Sequence, residues 1–408
     1  MKFLAKDLVK IKVVGVGGCG GNVVSRMQLK EKIRYVDFIV VNTDIQDLEN
    51  SFAKHKISIG KDLTGGLGAG MNPEIGREAA LSARDKIKKI LEGAGMVFVT
   101  AGFGGGTGTG ASPVICEIAK ELGALTIGVI TKPFSFEGSQ RERIAKDGLS
   151  ELKNKVDALI VIKNDKIFSI IEKDTPLLKA FEAIDDILKQ AVEGIIDLIV
   201  KPGIINVDFA DVKLIMKNAG SALVGIGFGK GEDRAIEAAK KAIESPLLEA
   251  SIDGARGVLL NIGGRSLKMQ EIQEVANLVK ERVSPDAKII CGAFEDRRLN
   301  KEEIKVISIA CGFDPTLNNF SFHQESILEA FKNKKDIKEK TKEKPSSLLE
   351  LKSKEKKENG NKKDKKDKKD NKDKKSFQEE IEKSQPKISQ IKDYFDIPAL
   401  FRRKKKKR

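Results

Sequence analysis

Between Gly102 and Gly110 the chain reads GFGGGTGTG, six glycines and two threonines in nine residues. Glycine gives up more backbone entropy on folding than any other residue, so such a cluster needs a reason. The reason read here is close approach of the backbone to phosphates. The segment follows the apolar run Met96–Ala101. Successive N–H groups at the start of a helix form an anion cradle, and threonine hydroxyls add donors. The chain has no GxxxxGK followed by Ser or Thr, so this is not a P-loop with its lysine. Two further loops share the character: Gly15–Asn22 (GVGGCGGN) and Gly65–Gly70 (GGLGAG). The first has the GxGxxG spacing of a dinucleotide site, with Asp44 lying 24 residues past Gly20.

Around these loops the apolar pattern fixes the fold class. Ile11–Val16, Tyr35–Asn42, Met96–Ala101, Thr126–Thr131 and Ala158–Lys163 are short continuous apolar runs. Such runs suit strands covered on both faces, and strand–helix alternation between them predicts a doubly wound parallel sheet. One helix is predicted to open at Asn72-Pro73, cap then first helical residue, burying Ile75, Ala79, Ala83, Ile87 and Ile90. A longer one is predicted from Thr175 as cap and Pro176 as first residue to Lys201-Pro202-Gly203. At about 25 residues it would run roughly 37 Å, a buried strut between two domains. Beyond it, Gly225–Gly229 and Gly257–Ile262 read as strands with glycine breaks, and Ile289–Cys291 and Lys305–Ala310 as two more. These make a second, smaller α/β domain.

Charge is distributed unevenly. The net +15 of the 408 residues lies entirely within Phe331–Arg408, with 30 basic and 15 acidic residues. The front of the chain is neutral, which argues against a globular, specific nucleic-acid binder. Lys332–Lys375 is dominated by Lys, Glu, Asp and Asn, and such a segment is expected to be disordered. From Glu325 to Gln390 a flexible chain would span about 45 Å. Apolar residues return at Tyr394, Phe395, Ile397, Leu400 and Phe401, ahead of Arg402–Arg408. No apolar run reaches 18 residues, and the opening MKFLAKDLVK lacks a signal-peptide core. The four cysteines stand apart without a CxxC pair, as expected of free thiols in a reducing cytosol. The chain has two histidines, His55 and His323, far apart in sequence, and neither a His-based triad nor a multi-His metal site is expected.

The resulting division is an extension (1–10), a nucleotide-binding domain (11–176), a central helix and its exit (177–205), a second domain opening on a candidate catalytic loop (206–317), a disordered charged linker (318–390) and a terminal peptide (391–408). Asp208 and Asp211 lie three apart, so a helical start puts both on one side. Two carboxylates there can orient a water for phosphoryl transfer; capping of the following helix is the other reading of Asp208.

Taken together, GGCGGN (Gly17–Asn22), NTD (Asn42–Asp44), LGAGMNPEIG (Leu67–Gly76), GFGGGTGTGASP (Gly102–Pro113), TKPF (Thr131–Phe134) and NVDFADV (Asn206–Val212) resemble the tubulin/FtsZ superfamily, its bacterial cell-division GTPases above all. The likeness covers about residues 11–315 and the segment DYFDIPALFRR near the end. It implies a GTPase that binds GTP and GDP with Mg²⁺ and polymerises head-to-tail into a ring at midcell in the cytoplasm. By the same resemblance Gly18, Cys19, Gly20, Gly21 and Asn22 face the nucleotide, and Gly104, Gly105, Gly106, Thr107, Gly108 and Thr109 wrap its phosphates. Asp44 with Gly68, Ala69 and Gly70 lies near the γ-phosphate and Mg²⁺, and Glu137 and Arg141 near the ribose. Asn164 also contacts the nucleotide, Phe181 stacks near guanine, and Asp185 or its neighbour Asp186 reads the base. No protein metal cluster is implied. Asn206, Asp208 and Asp211 complete the site of the next subunit. Asp393–Arg403 implies membrane-tethering and regulatory partners; the basic end Arg402–Arg408 can contact anionic lipid or, non-specifically, nucleic acid, or simply be solvated. Cys19 stands where Gly or Ala is usual, an oxidisable position. The competing reading, an NAD(P) oxidoreductase using Gly15–Gly20 and Asp44, leaves Gly102–Gly110 and the Asp208/Asp211 loop unexplained.

Overall fold

The computed structural model describes residues 9–30, 35–172, 174–245 and 250–313. The linker, the terminal peptide and its basic end lie outside the described residues. Strands β1 (Ile11–Val16), β2 (Val36–Asn42), β3 (His55–Ser58), β4 (Met96–Gly102), β5 (Leu125–Lys132) and β6 (Ala158–Lys163) are all parallel. Strands β7 (Gly220–Lys230), β8 (Gly257–Gly264), β9 (Lys288–Glu295) and β10 (Glu303–Cys311) extend them into one ten-stranded sheet, ordered β3-β2-β1-β4-β5-β6-β7-β10-β8-β9. The two halves join through three β6–β7 residue pairs, from Ala158↔Gly220 to Ile160↔Ala222. Strand β10 runs antiparallel to both of its neighbours, so the second half is mixed.

The helices are α1 (Gly17–Lys30), α2 (Ile45–Asn50), α3 (Lys61–Thr64), α4 (Pro73–Ser82), α5 (Arg84–Leu91), α6 (Thr107–Glu121), α7 (Ser139–Leu152), α8 (Leu177–Val200), α9 (Phe209–Met216), α10 (Arg234–Ile243) and α11 (Met269–Lys280). Alternate residues of one strand serve opposite layers, as the continuous apolar runs predicted. Val13 and Phe38 pack with Val24 of α1 and Leu188 of α8, while Val14 and Ile39 pack with Ala79 of α4 and Ile115 of α6.

Three readings are corrected. The helix after Asn72 is two helices, because Ala83 breaks the run at φ −102°, ψ 12°. Asn72 caps the first as expected, its side chain accepting from Glu74 N at 3.0 Å, but Ile75 and Ile90 are only half-buried. The cap of α8 is Pro176 rather than Thr175, with no side-chain bond. The glycines of β7 are not breaks. A Cβ on Gly225, Gly227 or Gly229 would sit 1.7, 2.0 or 1.9 Å from the carbonyl oxygens of Ala242, Ala238 and Arg234. Helix α10 therefore lies directly on the strand. The strand β3 and the short helix α2 were not anticipated.

Helix α8 has 24 residues and is about 36 Å long. Its core residues Leu188, Val192 and Ile195 share one cluster with Val129 and Ile160 of the first half and with Leu259 and Ile307 of the second. Beside that apolar face runs a charged ladder at four-residue steps: Lys189–Glu193 at 3.5 Å and Asp197–Lys201 at 2.9 Å. Lys305 of β10 faces the ladder, and its burial lowers its pKa to about 8, against the opposing pull of Glu193.

Two outcomes are expected. Gly227→Ala overpacks α10 against β7 and lowers stability by about 1–3 kcal/mol in urea titration. Between about pH 8 and the ordinary lysine value near 10.4, the unfolded chain holds a proton that folded Lys305 has released, so this group makes stability rise with pH. The rise from pH 8 to 10 should be smaller in Lys305→Met, measured by denaturant unfolding at each pH.

Candidate functional site

In an open parallel sheet, the crevice for a ligand opens at the carboxyl ends of the strands where the winding reverses. Here β1 continues to β2 on one side and borders β4 on the other. The first two glycine loops leave the sheet at those two strand ends. Helix α1 starts at Gly17 and α6 at Thr107, so two helix N-termini converge, and neither first turn carries an acidic residue. Unpaired N–H groups there, with the positive end of each helix dipole, suit an anion.

The convergence depends on missing side chains. A Cβ on Gly20 would lie 2.2 Å from the Thr100 carbonyl oxygen of β4, and one on Gly17 would lie 3.2 Å from Gly108 N. The third loop packs on the second in the same way, since a Cβ on Gly106 would lie 2.7 Å from Cβ of Ala69. Thr107 hydrogen-bonds the buried Thr43 hydroxyl at 2.6 Å, tying the end of β2 to the start of α6. Several glycines thus serve backbone-on-backbone packing, a use the sequence reading did not separate from ligand approach.

Not every residue of the loops faces outward. Gly18, Gly21 and Asn22 line a recess with Gly17, Asn42 and Asp47. Gly105 and Thr107 are partly exposed, whereas Gly104, Gly106 and Gly108 are buried. Thr109 is 2% exposed and its hydroxyl accepts from Gly104 N at 3.0 Å, which braces the loop internally. Asp44 caps α2, accepting from Gln46 N and Asp47 N, and forms a bridge with Leu67 that holds it beside Gly68 and the half-open Gly68–Gly70 turn.

A second group gathers at the ends of β5 and β6 and the start of α8. The buried ring of Phe134 meets Phe181 edge-on, centroids 5.4 Å apart. Glu137 accepts from Phe134 N at 2.9 Å and pairs with Arg141 at 3.3 Å. Asn164 is 8% exposed, yet its Oδ1 has no hydrogen-bond partner. A buried acceptor left open asks for a donor from outside the protein. Asp185 is buried beside Arg26 of α1, with Nε 3.5 Å from Oδ2, whereas Asp186 is half-buried. Cys19 connects the two groups: its Sγ lies 3.9 Å from the Thr131 hydroxyl and feels the charges of Asp185 and Glu137. Arg26 and Thr43 join the candidate site although sequence reasoning did not single them out; only their proximity in space to Asp185 and Thr107 marks them.

The tubulin/FtsZ GTPase-domain family model matches residues 10–172, and the model of the FtsZ-family C-terminal domain matches residues 220–314. A solved FtsZ dimer from M. jannaschii is 46% identical, with 76% of this chain and 90% of that one covered, at a TM-score of 0.73. This chain belongs to the tubulin/FtsZ family. A tryptophan-to-tyrosine mutant of FtsZ from M. jannaschii matches at 45% identity over 76% of this chain and 93% of that chain, TM-score 0.73. CetZ2 from Haloferax volcanii, solved as a GTPγS-bound protofilament, shares the fold at 20% identity, TM-score 0.66, over 79% and 99% of the two chains. Membership in this cytoskeletal GTPase family sets the oxidoreductase reading aside.

The carboxylates proposed for hydrolysis are not in this cleft. Asp208 and Asp211 are exposed, and neither pairs with a described cation. Asp208 occupies the cap position of α9 but its side chain makes no capping bond. Asn206 accepts from Gly203 N at 2.7 Å and braces the turn. The ring of Phe209 lies next to Gly95, at the amino end of β4, whereas the glycine loops leave its carboxyl end. The seven residues of β4 separate the two by about 23 Å.

Cys19 is not poised for oxidation. Burial, reinforced by the Asp185 charge, pushes its thiol up to about 12, which leaves little thiolate at neutral pH. Alkylation of Cys19 by iodoacetamide at pH 7.5 should be on the order of 10³-fold slower than that of an ordinary thiol near 8.5, as followed by mass spectrometry.

Proposed function

We propose that this chain binds GTP in the cleft between α1 and α6 and hydrolyses it only when a second copy stacks head-to-tail and supplies Asp208 and Asp211. The observation that carries the reading is the placement of these exposed carboxylates at the amino edge of the sheet, a strand's length from the glycine loops at its carboxyl edge. One rigid subunit cannot close that distance, whereas a translated copy brings the two ends together. Such a heterologous contact, when it does not close into a ring, builds a filament. Large apolar side chains stand exposed at both ends: Leu67 and Phe136 beside the glycine loops, Ile204 and Leu214 beside the aspartates. The similar FtsZ from M. jannaschii, solved as a dimer, supports self-association.

In this reading backbone N–H groups of the first turns of α1 and α6 hold the phosphates. Asn164 offers its open acceptor to the nucleoside, Phe181 packs near the base, and Asp185 accepts from guanine's N–H groups. The burial of Asp185 and its place beside Arg26 support it over Asp186. Asp208 and Asp211 of the neighbour orient the attacking water, the part that phosphoryl transfer asks of a protein besides charge compensation. Among the described residues no group of three or more His, Cys, Asp or Glu can hold a metal. Mg²⁺ would therefore rest on phosphate oxygens and water with Asp44 nearby, as this hydrated cation commonly does, and would neutralise phosphate charge. The filaments would form the division ring at midcell in the cytoplasm, with Asp393–Arg403 reaching tethering partners and Arg402–Arg408 reaching anionic lipid. No described helix is long and apolar enough to cross a membrane.

Asp208→Ala should bind GTP within about twofold of the native affinity and lose at least 10²-fold in phosphate release, the scale of a displaced positioning group. Equilibrium binding and phosphate release measured on the same preparation decide it. Native turnover in the variant would show that hydrolysis does not use the neighbour's loop.

A further inference from the structure

Resting on the reading of Asp185 as the guanine reader, we propose that Arg26 is the positioning residue that sets this base specificity. The two side chains come from helices that otherwise do different work. Helix α1 presents Asn22 to the recess by the glycine loops, and Arg26 stands one turn further on the same side. Helix α8 presents Asp185 near its amino end. The guanidinium Nε lies 3.5 Å from Oδ2, an ion-pair distance, with side chains 21% and 11% exposed.

Guanine offers two parallel donors on one edge, N1–H and the exocyclic amine. A carboxylate reads both only when its plane lies along that edge. The last torsion of an aspartate is broad, so its own rotamer does not fix the plane. The ion pair restricts it, because the guanidinium that holds Oδ2 is rigid and planar. An ionised carboxylate has about four lone-pair sites, so Oδ2 serves Arg26 and the base together. Arg26 also offsets the charge of this largely buried carboxylate. Without Arg26 the carboxylate turns toward other donors and loses one of its two contacts with guanine. Hypoxanthine offers N1–H alone, so an inosine nucleotide loses much less.

The test uses the full chain with Mg²⁺ and measures equilibrium binding of GTP and ITP by calorimetry. The variants are Arg26→Met, Arg26→Gln, Arg26→Lys and Asp185→Ala; the Gln variant keeps a long polar side chain where Met fails to fold. Arg26→Met or Arg26→Gln should weaken GTP binding about tenfold, the scale of one charged hydrogen bond, and shrink the GTP:ITP affinity ratio at least fivefold. Arg26→Lys, which restores charge without the fork, should give an intermediate ratio. A purely structural role for Arg26 would weaken both nucleotides equally and leave the ratio unchanged. That unchanged ratio, alongside its collapse in Asp185→Ala, overturns the proposal while Asp185 still reads the base. A native ratio in Asp185→Ala removes the base reader and the proposal with it.

Discussion

The site depends on one close approach, the N-terminal turn of α1 lying against the backbone of β4. Gly20 rests on the Thr100 carbonyl with no room for a methyl group, and Gly17 reaches the first turn of α6. Any side chain at Gly20 would push the two helix N-termini apart and dilute the anion field that they share. The third glycine loop packs onto the second by the same means, so three segments distant in sequence become one backbone-lined surface. The entropy given up at these glycines is offset by packing first; ligand binding uses what the packing exposes.

A second constraint is the length and burial of α8. Its apolar face belongs to a core common to both halves of the sheet, and its charged ladder is held between Lys189 and Lys201 beside Lys305. A helix so embedded fixes the distance between the cleft near its start and the Asp208 loop after its end. The glycine-lined cleft and the carboxylates proposed for hydrolysis are thereby kept on opposite edges of the sheet. Assembly control follows in the proposed reading without any moving part inside a subunit.

Burial also sorts residues that a motif treats alike. Within GFGGGTGTG, Thr107 is partly open and Thr109 closed, its hydroxyl spent on Gly104. Of the acidic pair, Asp185 is turned toward Arg26 and Cys19, and Asp186 is half-buried. Cys19 itself is chemically quiet because its surroundings disfavour the thiolate. Chemistry assigned by residue type alone would have credited all of these equally.

The sequence by itself determined the class of the fold and the family. Continuous apolar runs suit strands covered on both sides, the periodic apolar face of α8 suits a buried helix, and Asn72-Pro73 suits a helix start; each is local physics, decided within a few residues. It also placed the glycine loops after strands. Only the tertiary structure decided what those glycines touch, that β7 is smooth so that α10 can lie on it, that Ala83 breaks a helix, and that His55–Ser58 finds an edge to pair with. Arg26 and Thr43 joined the candidate site in the same way. Their partners, Asp185 and Thr107, lie 159 and 64 positions away, and no local pattern encodes a contact whose energy exists only after the sheet has brought the two segments together.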